Sequence, residues 1–459
     1  MNTAKRFALL GVLAIAGTTG ACNSFLTGGE LTTDPNRPTS GSPQARFAAV
    51  QVSLWALLSS DPARIMSVWT QQFAGVNMQY SAINDYVHDE TTTGGFEAGL
   101  YTGGGLVDIR EIESEARASG DSVLLGQTQV LEGLMIGTGA DLFGDLVYSQ
   151  ALSNTPNPPL DNQMDVYDAL QTVLADAITN MTGSGPTNFG AGSSDLVYGG
   201  DVPSWTAFAH TVRARLYLHT AEVRPAAYGD ALTQAEDGIT DPSGDYKAIW
   251  SGNLAEQNFW YQFFGPQRPG YMVPGPFLVT LLQTNSDPRL AEFFNAAHTN
   301  LSATRADPTF SQPLVTAQEN LLIWAEAAYR TGATGTALTQ LNAAKDAAAS
   351  VCHDETGSTC VIPHSAASGS ALLHDILTEK YIAEFQNIEA WNDYKRTCFP
   401  NLTPTVVGFI IPGRLFYDQS ERQTDTSIPA PTAQPTRNAN DPANATDDFG
   451  IACKGQTPS

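Results

Sequence analysis

Basic residues are scarce in this chain: 23 lysines and arginines face 47 aspartates and glutamates, for a formal net charge of −24. Such a surface repels phosphate backbones and anionic headgroups, which excludes nucleic acid and an anionic membrane surface as the working partner. Long apolar runs are missing too. A helical membrane span takes about 20 apolar residues, and the one greasy segment, Phe7 to Ala16 behind Lys5 and Arg6, is half that length. Catalytic signatures are also missing. There is no G-x-S-x-G elbow, H-E-x-x-H pair, P-loop or G-x-G-x-x-G following a strand. An enzyme reading would rest on an unlocatable carboxylate pair, as in a glycoside hydrolase. Glu379, Glu384 and Glu389 recur along a helical segment and read as a solvated face.

Cysteines are few: Cys22, Cys352, Cys360, Cys398 and Cys453. Residues 1–21 have the positive start, short apolar core and small terminal residues of a secretory signal. Gly20-Ala21-Cys22 resembles a bacterial lipobox, departing from it where Thr19 replaces the usual leucine. The odd count supports acylation of Cys22, because an exported protein with one cysteine lipidated keeps four to pair. Plain secretion is the alternative. Four cysteines allow three connectivities, and sequence order favours Cys352–Cys360 with Cys398–Cys453. The segment Cys352-His353-Asp354-Glu355…Cys360…His364 fits no standard zinc-ligand spacing. Residues 22–42, rich in Gly, Thr, Pro and Ser, read as a flexible leash, and 43–459 as a single domain.

What is abundant is helical periodicity. In DVYDALQTVLADAITNM, Val166, Leu170, Val173, Leu174, Ala177 and Ile178 lie on one face. The spacing predicts further helices over 43–59, 63–79, 121–142, 203–223, 317–331, 334–349 and 370–387. Several pair across short glycine-containing links, as antiparallel hairpins stacked in the manner of tetratricopeptide repeats, although no strict 34-residue period exists. Between them lie Gly/Pro/Asn/Ser stretches at 153–163, 183–203, 240–276 and 400–459. Loops of that length usually carry function.

Four stretches then resemble the SusD/RagB family of surface nutrient-binding lipoproteins, in its starch-binding-associated outer-membrane branch. They are CNSFLTGGELTTDPNRPT after the candidate lipidated cysteine, VWTQQFAGVNMQY, DLFGDLVYSQAL with Val147 where proline is usual, and EKYIAEFQNIEAWNDYKRTCFP followed by IPGRLFYDQSERQ. The resemblance implies a mainly α fold of tetratricopeptide-like helical hairpins with a loop-rich, irregular C-terminal half. It implies a binding protein rather than an enzyme, tethered to the outer membrane at the cell surface. Its partner would be a SusC-like TonB-dependent transporter, over which the lipoprotein sits as a lid and delivers oligosaccharide or peptide. A structural or adhesive surface lipoprotein is the rival that the anchor suits equally.

Candidate ligand contacts come from aromatic side chains, whose flat faces stack on sugar rings. The segment NFWYQFFGPQRPGYMVPGP places Trp260, Tyr261, Phe264 and Tyr271 among Gln, Asn, Gly and Pro. Trp69, Tyr80 and Tyr86 form a second set. The competing role is structural, with each ring pinning a loop to the core. Trp391 and Tyr394 read as docking a helix, with Arg396 paired to an acid. In DLFGDLVYSQAL, Asp141 and Asp145 bracket Gly144 as a helix-ending turn in preference to a calcium site, which needs six to eight oxygens.

Overall fold

The helices start where the sequence supplies caps. Ser42, Asp121, Asn162, Asp201 and Thr316 each accept a hydrogen bond from a first-turn amide, at 2.9–3.2 Å. Each cap is worth about 1 kcal/mol. The helices so begun are α1 (Pro43–Ser59), α4 (Ser122–Phe143), α5 (Gln163–Thr182), α6 (Val202–Thr220) and α8 (Ala317–Arg330). Between and after them run α2 (Asp61–Trp69), α3 (Leu106–Ser119), α7 (Ala227–Ala235), α9 (Thr334–Thr356), α10 (Ser370–Ala383) and α11 (Glu389–Thr397). The computed structural model describes residues 41–441 apart from 93, 154, 184–188 and 408. The signal, Cys22, most of the leash and Cys453 therefore lie outside the described residues, and with them the Cys398–Cys453 pairing.

From α4 to α9 each of these helices packs on the one before it, and α10 returns against α8. The protein is mainly helical, built of tetratricopeptide-like hairpins. One apolar core runs from Phe47 to Ile428, with two satellites, one between α6, α7 and α8 and one between α8, α9 and α10. Val166, Leu170, Leu174 and Ala177 are all buried, as their spacing requires. They meet α4, which is buried nearly all round despite glycines at 126, 133, 137 and 139. A glycine inside a helix costs about 1 kcal/mol against alanine. Here it permits close approach: a Cβ on Gly126 would sit 2.6 Å from the Ala177 carbonyl oxygen of α5.

Two expectations need correction. The helix read over 63–79 ends at Trp69, and the chain turns through Gln71 into strand β1 (Phe73–Gly75). Tertiary contacts override the local period. The buried Gln72 amide donates to the Tyr381 and Glu384 carbonyls at 3.1 Å each, and a Cβ on Gly75 would collide with the Tyr80 carbonyl. The stretch 240–276 is not structureless. It contains β2 (Tyr246–Ala248) and β3 (Met272–Pro274). The latter pairs antiparallel with β1, Phe73 opposite Pro274, and β2 pairs antiparallel with β4 (Gln312–Val315). Helix α3 escaped the sequence reading although Leu106, Ile109, Ile112 and Ala116 carry its buried face. Its run of alternating charges masked that stripe.

The Cys352–Cys360 disulfide forms as the residue order suggested, with a Cα separation of 5.9 Å, and fastens the chain leaving α9. Gly126→Val is expected to cost about 1–3 kcal/mol of unfolding free energy through overpacking, read as a lower urea midpoint. Gly335→Ala, which meets nothing within 4 Å, should leave that midpoint unchanged or raised.

Candidate ligand-binding face and the charges beneath it

The aromatic segment turns inward first. Asn258 accepts from the Trp260 and Tyr261 amides at 2.8 and 3.1 Å and donates to the Phe310 carbonyl, so it fixes a single helical turn, Phe259–Gln262. That turn drives Trp260, 0 % exposed, against Phe73 in a stacked pair with centroids 5.4 Å apart. Phe264, Phe294 and Phe385 close around the same Phe73 ring. Tyr80 packs edge-on to Phe263, and its hydroxyl sits between Arg64 and Asp61 at 3.1 and 2.9 Å. Trp69 meets Trp391 and donates its indole N–H to the Ile83 carbonyl. Of the sequence-derived candidates, Trp260, Phe264, Trp69, Tyr80 and Tyr86 thus have their faces covered by protein. They hold the loops in place. Tyr261 and Tyr271 are half-buried and keep surface toward solvent.

Around Tyr271 three loops are tied together. Val76 N–H donates to the Tyr271 carbonyl at 2.9 Å and the Asn77 amide to Gly270 at 2.7 Å. The Gln71 side chain donates to the Thr403 carbonyl at 2.7 Å, and Thr405 N–H to the Tyr86 hydroxyl at 3.2 Å. Three non-glycine residues of the 71–88 loop, Gln71, Met78 and Tyr86, are left-handed, with φ of 59°, 52° and 61°. Such strain costs about 1 kcal/mol or more apiece and concentrates at binding sites. The loops also expose apolar side chains: Val76 is 46 % exposed, Met78 71 % and Val407 99 %. The Arg268 guanidinium lies 5.5 Å from the Tyr271 ring. Sequence reasoning found Tyr271 here but missed Arg268, Asn77 and Met78, which no local pattern marks.

Charged groups fill the middle of the helical stack. Arg215 of α6 donates to both oxygens of Glu319 on α8, at 2.5 and 2.6 Å, and approaches Glu389 of α11 at 3.5 Å. One turn along α6, His219 places Nε2 2.7 Å from Glu389 and Nδ1 2.9 Å from Asp141 of α4. Burial pushes the imidazole toward neutrality, but the two carboxylates outweigh it and raise its pKa to about 9. Glu389 is lowered to about 2, where Arg215 and His219 overcome burial. A second cluster joins Arg396 to Glu326 at 2.6 and 2.7 Å and to Asp393 at 2.8 Å, with Lys380 between both acids.

This overturns the solvated reading of Glu379, Glu384 and Glu389, all of which are buried. Glu379 is held by Arg289 and Glu389 by His219 and Arg215. Their distant cationic partners left no local trace. Asp141, His219 and Glu389 have ligand atoms within 4.8 Å of one another. A metal, however, requires neutral imidazole, and here the proton on His219, with Arg215 beside it, already supplies the positive charge. Asp145 behaves as the turn reading expects, accepting from Gln163 N–H at 2.8 Å beyond Gly144 at φ +83°. Arg396 pairs with acids, and Trp391 and Tyr394 dock α11 in the core.

Behind the aromatic cluster a cavity of about 510 Å³ opens between β2–β4, the short helix Arg289–Phe293, the end of α9 and residues 384–387.

A SusD-like family described as starch-binding and associating with the outer membrane matches residues 35–305 and 297–418. A chitin-binding SusD homologue from Flavobacterium johnsoniae superposes with a TM-score of 0.73 at 19 % identity, over 87 % of this chain and 98 % of that one. A SusD homologue from Bacteroides uniformis gives 0.72 at 17 %, over 88 % and 99 %. A SusD-like protein from Bacteroides thetaiotaomicron gives 0.71 at 18 %, over 89 % and 100 %. No functionally curated protein matches the chain.

The charges fix a pH profile. His219, raised from 6.5 to about 9, contributes stability that is complete below about pH 6.5 and lost as pH rises through 9. Glu389, lowered from 4.5 to about 2, contributes stability present above about pH 4.5 and lost as pH falls toward 2. The thermal midpoint should therefore be highest between these limits. His219→Gln should lower that maximum and flatten the alkaline limb. An unchanged slope between pH 6.5 and 9 would show that His219 is not the titrating group.

Proposed function

The chain belongs to the SusD-like family of starch-binding proteins that associate with the outer membrane, and from that premise we propose that it binds oligosaccharide at the cell surface and passes it to a TonB-dependent transporter. The family match, which spans most of the chain from residue 35 to 418, carries this reading. Cys22 is the proposed lipid anchor, with the following residues as the leash. One acyl chain holds a protein only marginally, so stable anchoring takes two or more.

The interlocked loops around Tyr271 are the proposed ligand face. Tyr261 and Tyr271 offer ring surface, and Arg268 and Asn77 offer donors to hydroxyl groups. Exposed Met78 and Val76 supply the apolar floor on which the unhydroxylated side of a sugar rests. Nothing in this reading requires bond cleavage. Capture and release suffice, and the protein acts by binding.

Two measurements test it. Tyr271→Ala and Tyr261→Ala should each weaken binding of maltoheptaose or chitohexaose by about 1 kcal/mol, roughly fivefold, in calorimetric titrations. Trp260→Ala should instead cost about 3–5 kcal/mol of stability. Detergent extraction of native protein through a C-terminal tag should retain a TonB-dependent barrel, with an acylated Cys22 at the N-terminus by mass spectrometry. An unmodified Cys22 and no barrel would overturn the import reading.

A further inference from the structure

Charged side chains belong at the surface, yet the loops that meet around Tyr271 have almost none. Residues 71–84, 257–286 and 397–413 contain a single Asp, Glu, Lys or Arg between them, Arg268, in a chain that is 15 % charged and carries a net −24. Burial does not explain the scarcity, because residues 76–79 and 265–270 are exposed, as are Thr403, Thr405 and Val407. Arg268 is itself exposed, and its guanidinium makes no hydrogen bond and no ion pair among the described residues. It lies 5.5 Å from the centroid of the Tyr271 ring. Asp61 feels its charge, but that carboxylate already accepts from Arg64 at 3.1 Å and from the Tyr80 hydroxyl at 2.9 Å. The backbone that carries the guanidinium is held on both sides. Arg268 N–H donates to the Phe263 carbonyl at 3.0 Å, and Tyr271 N–H to the Arg268 carbonyl at 3.1 Å.

We infer that this face takes acidic oligosaccharides, with Arg268 receiving a sugar carboxylate, a ligand class that rests on the oligosaccharide reading and narrows it. The guanidinium is planar, and its fork of N–H donors fits a carboxylate through two parallel hydrogen bonds. A uronic acid carries that carboxylate directly on the sugar ring. A residue resting on the tyrosines of this face therefore brings it beside the guanidinium at Tyr271. The neutrality of the loops serves the same end. At a net −24 the protein as a whole repels an anion. One unpaired cation sets the local sign only where no unengaged acid adjoins it, within a Debye length of about 10 Å at 0.1 M salt. Hydroxyl groups alone would be served by the amides of Asn77, Gln79 and Gln267, without a charge.

The test uses the full mature protein in calorimetric titrations with oligogalacturonate, its methyl-esterified form, maltoheptaose and an oligoglutamate peptide. The two galacturonates share their rings and linkages and differ in charge. The acid should bind about tenfold more tightly than the ester. That preference should fall below about threefold when sodium chloride is raised from about 50 to about 500 mM. Arg268→Gln, which keeps amide donors and removes the charge, should abolish the preference at low salt, and Arg268→Lys should retain part of it. Because the side chain is exposed, both variants should keep the urea midpoint of the parent. Equal binding of acid and ester, a preference indifferent to Arg268→Gln, or oligoglutamate bound as tightly as oligogalacturonate would each overturn the assignment. Maltoheptaose bound through Tyr261 and Tyr271 with no preference for the acid would overturn it and leave the oligosaccharide face standing, whereas no binding of any sugar would remove both.

Discussion

An arginine and a protonated histidine lie one helical turn apart on α6, out of reach of water, and each must find its counter-charge on another element. Arg215 takes Glu319 from α8, and His219 takes Asp141 from α4 and Glu389 from α11. Moving such ions from water costs several kcal/mol apiece, and their mutual attraction does little more than offset that. The cluster therefore adds little net stability. What it imposes is a condition: no partial assembly of these four helices leaves every charge compensated, and an orphaned buried charge costs about 3–5 kcal/mol. Apolar burial drives the helices together, and the ions select which arrangement of greasy faces is allowed. The second cluster, around Glu326, repeats this logic between α8, α10 and α11.

These polar tethers extend to the surface loops. Gln72 holds β1 to the end of α10 through the Tyr381 and Glu384 carbonyls, and its own carbonyl side accepts from Gln386 N–H. Phe73, the next residue, inserts into the rings of Trp260, Phe264, Phe294 and Phe385. One strand of three residues thus joins the helical stack to two loops far away in sequence. Phe385 and Phe293 form the back of that aromatic cluster, and the acidic cavity begins at their far side. The aromatic cluster is a partition, with the loop face around Tyr271 on one side and the acidic cavity on the other.

How much of this was legible in the sequence follows from the range of each interaction. Helices α1, α4, α5, α6 and α8 were readable because caps and apolar spacing are local. The family resemblance, carried by four ordered motifs, was legible for the same reason. Whether an aromatic faces ligand or core is a question of distant partners. Trp260 and Tyr261 are neighbours with the same composition around them, yet the turn capped by Asn258 sends one inward and leaves the other at the surface. Glu379, Glu384 and Glu389 looked like a solvated face because acids on a helix usually are. Arg289, Arg215 and His219, which bury two of them, lie 90 to 174 positions away. Glu384 lies in the same buried group as Arg215, Glu319 and Glu389, which are likewise set by the fold and not by its own segment.

The strained loop face and the rigid body beneath it are two parts of one device. Left-handed Gln71, Met78 and Tyr86 raise the energy of their loop, and an untethered loop would relax. Here the strain is over-determined: Gln71 is tied to Thr403, Tyr86 to Thr405, and Gln72 between them to the helical core. A surface ordered in advance does not lose loop entropy when a ligand arrives, and sugars, which gain little per contact, bind usefully only to such a surface. With Gln71, Gln72 and Tyr86 each fixed to a distant element, the loop face and the helical body beneath it are held as one piece.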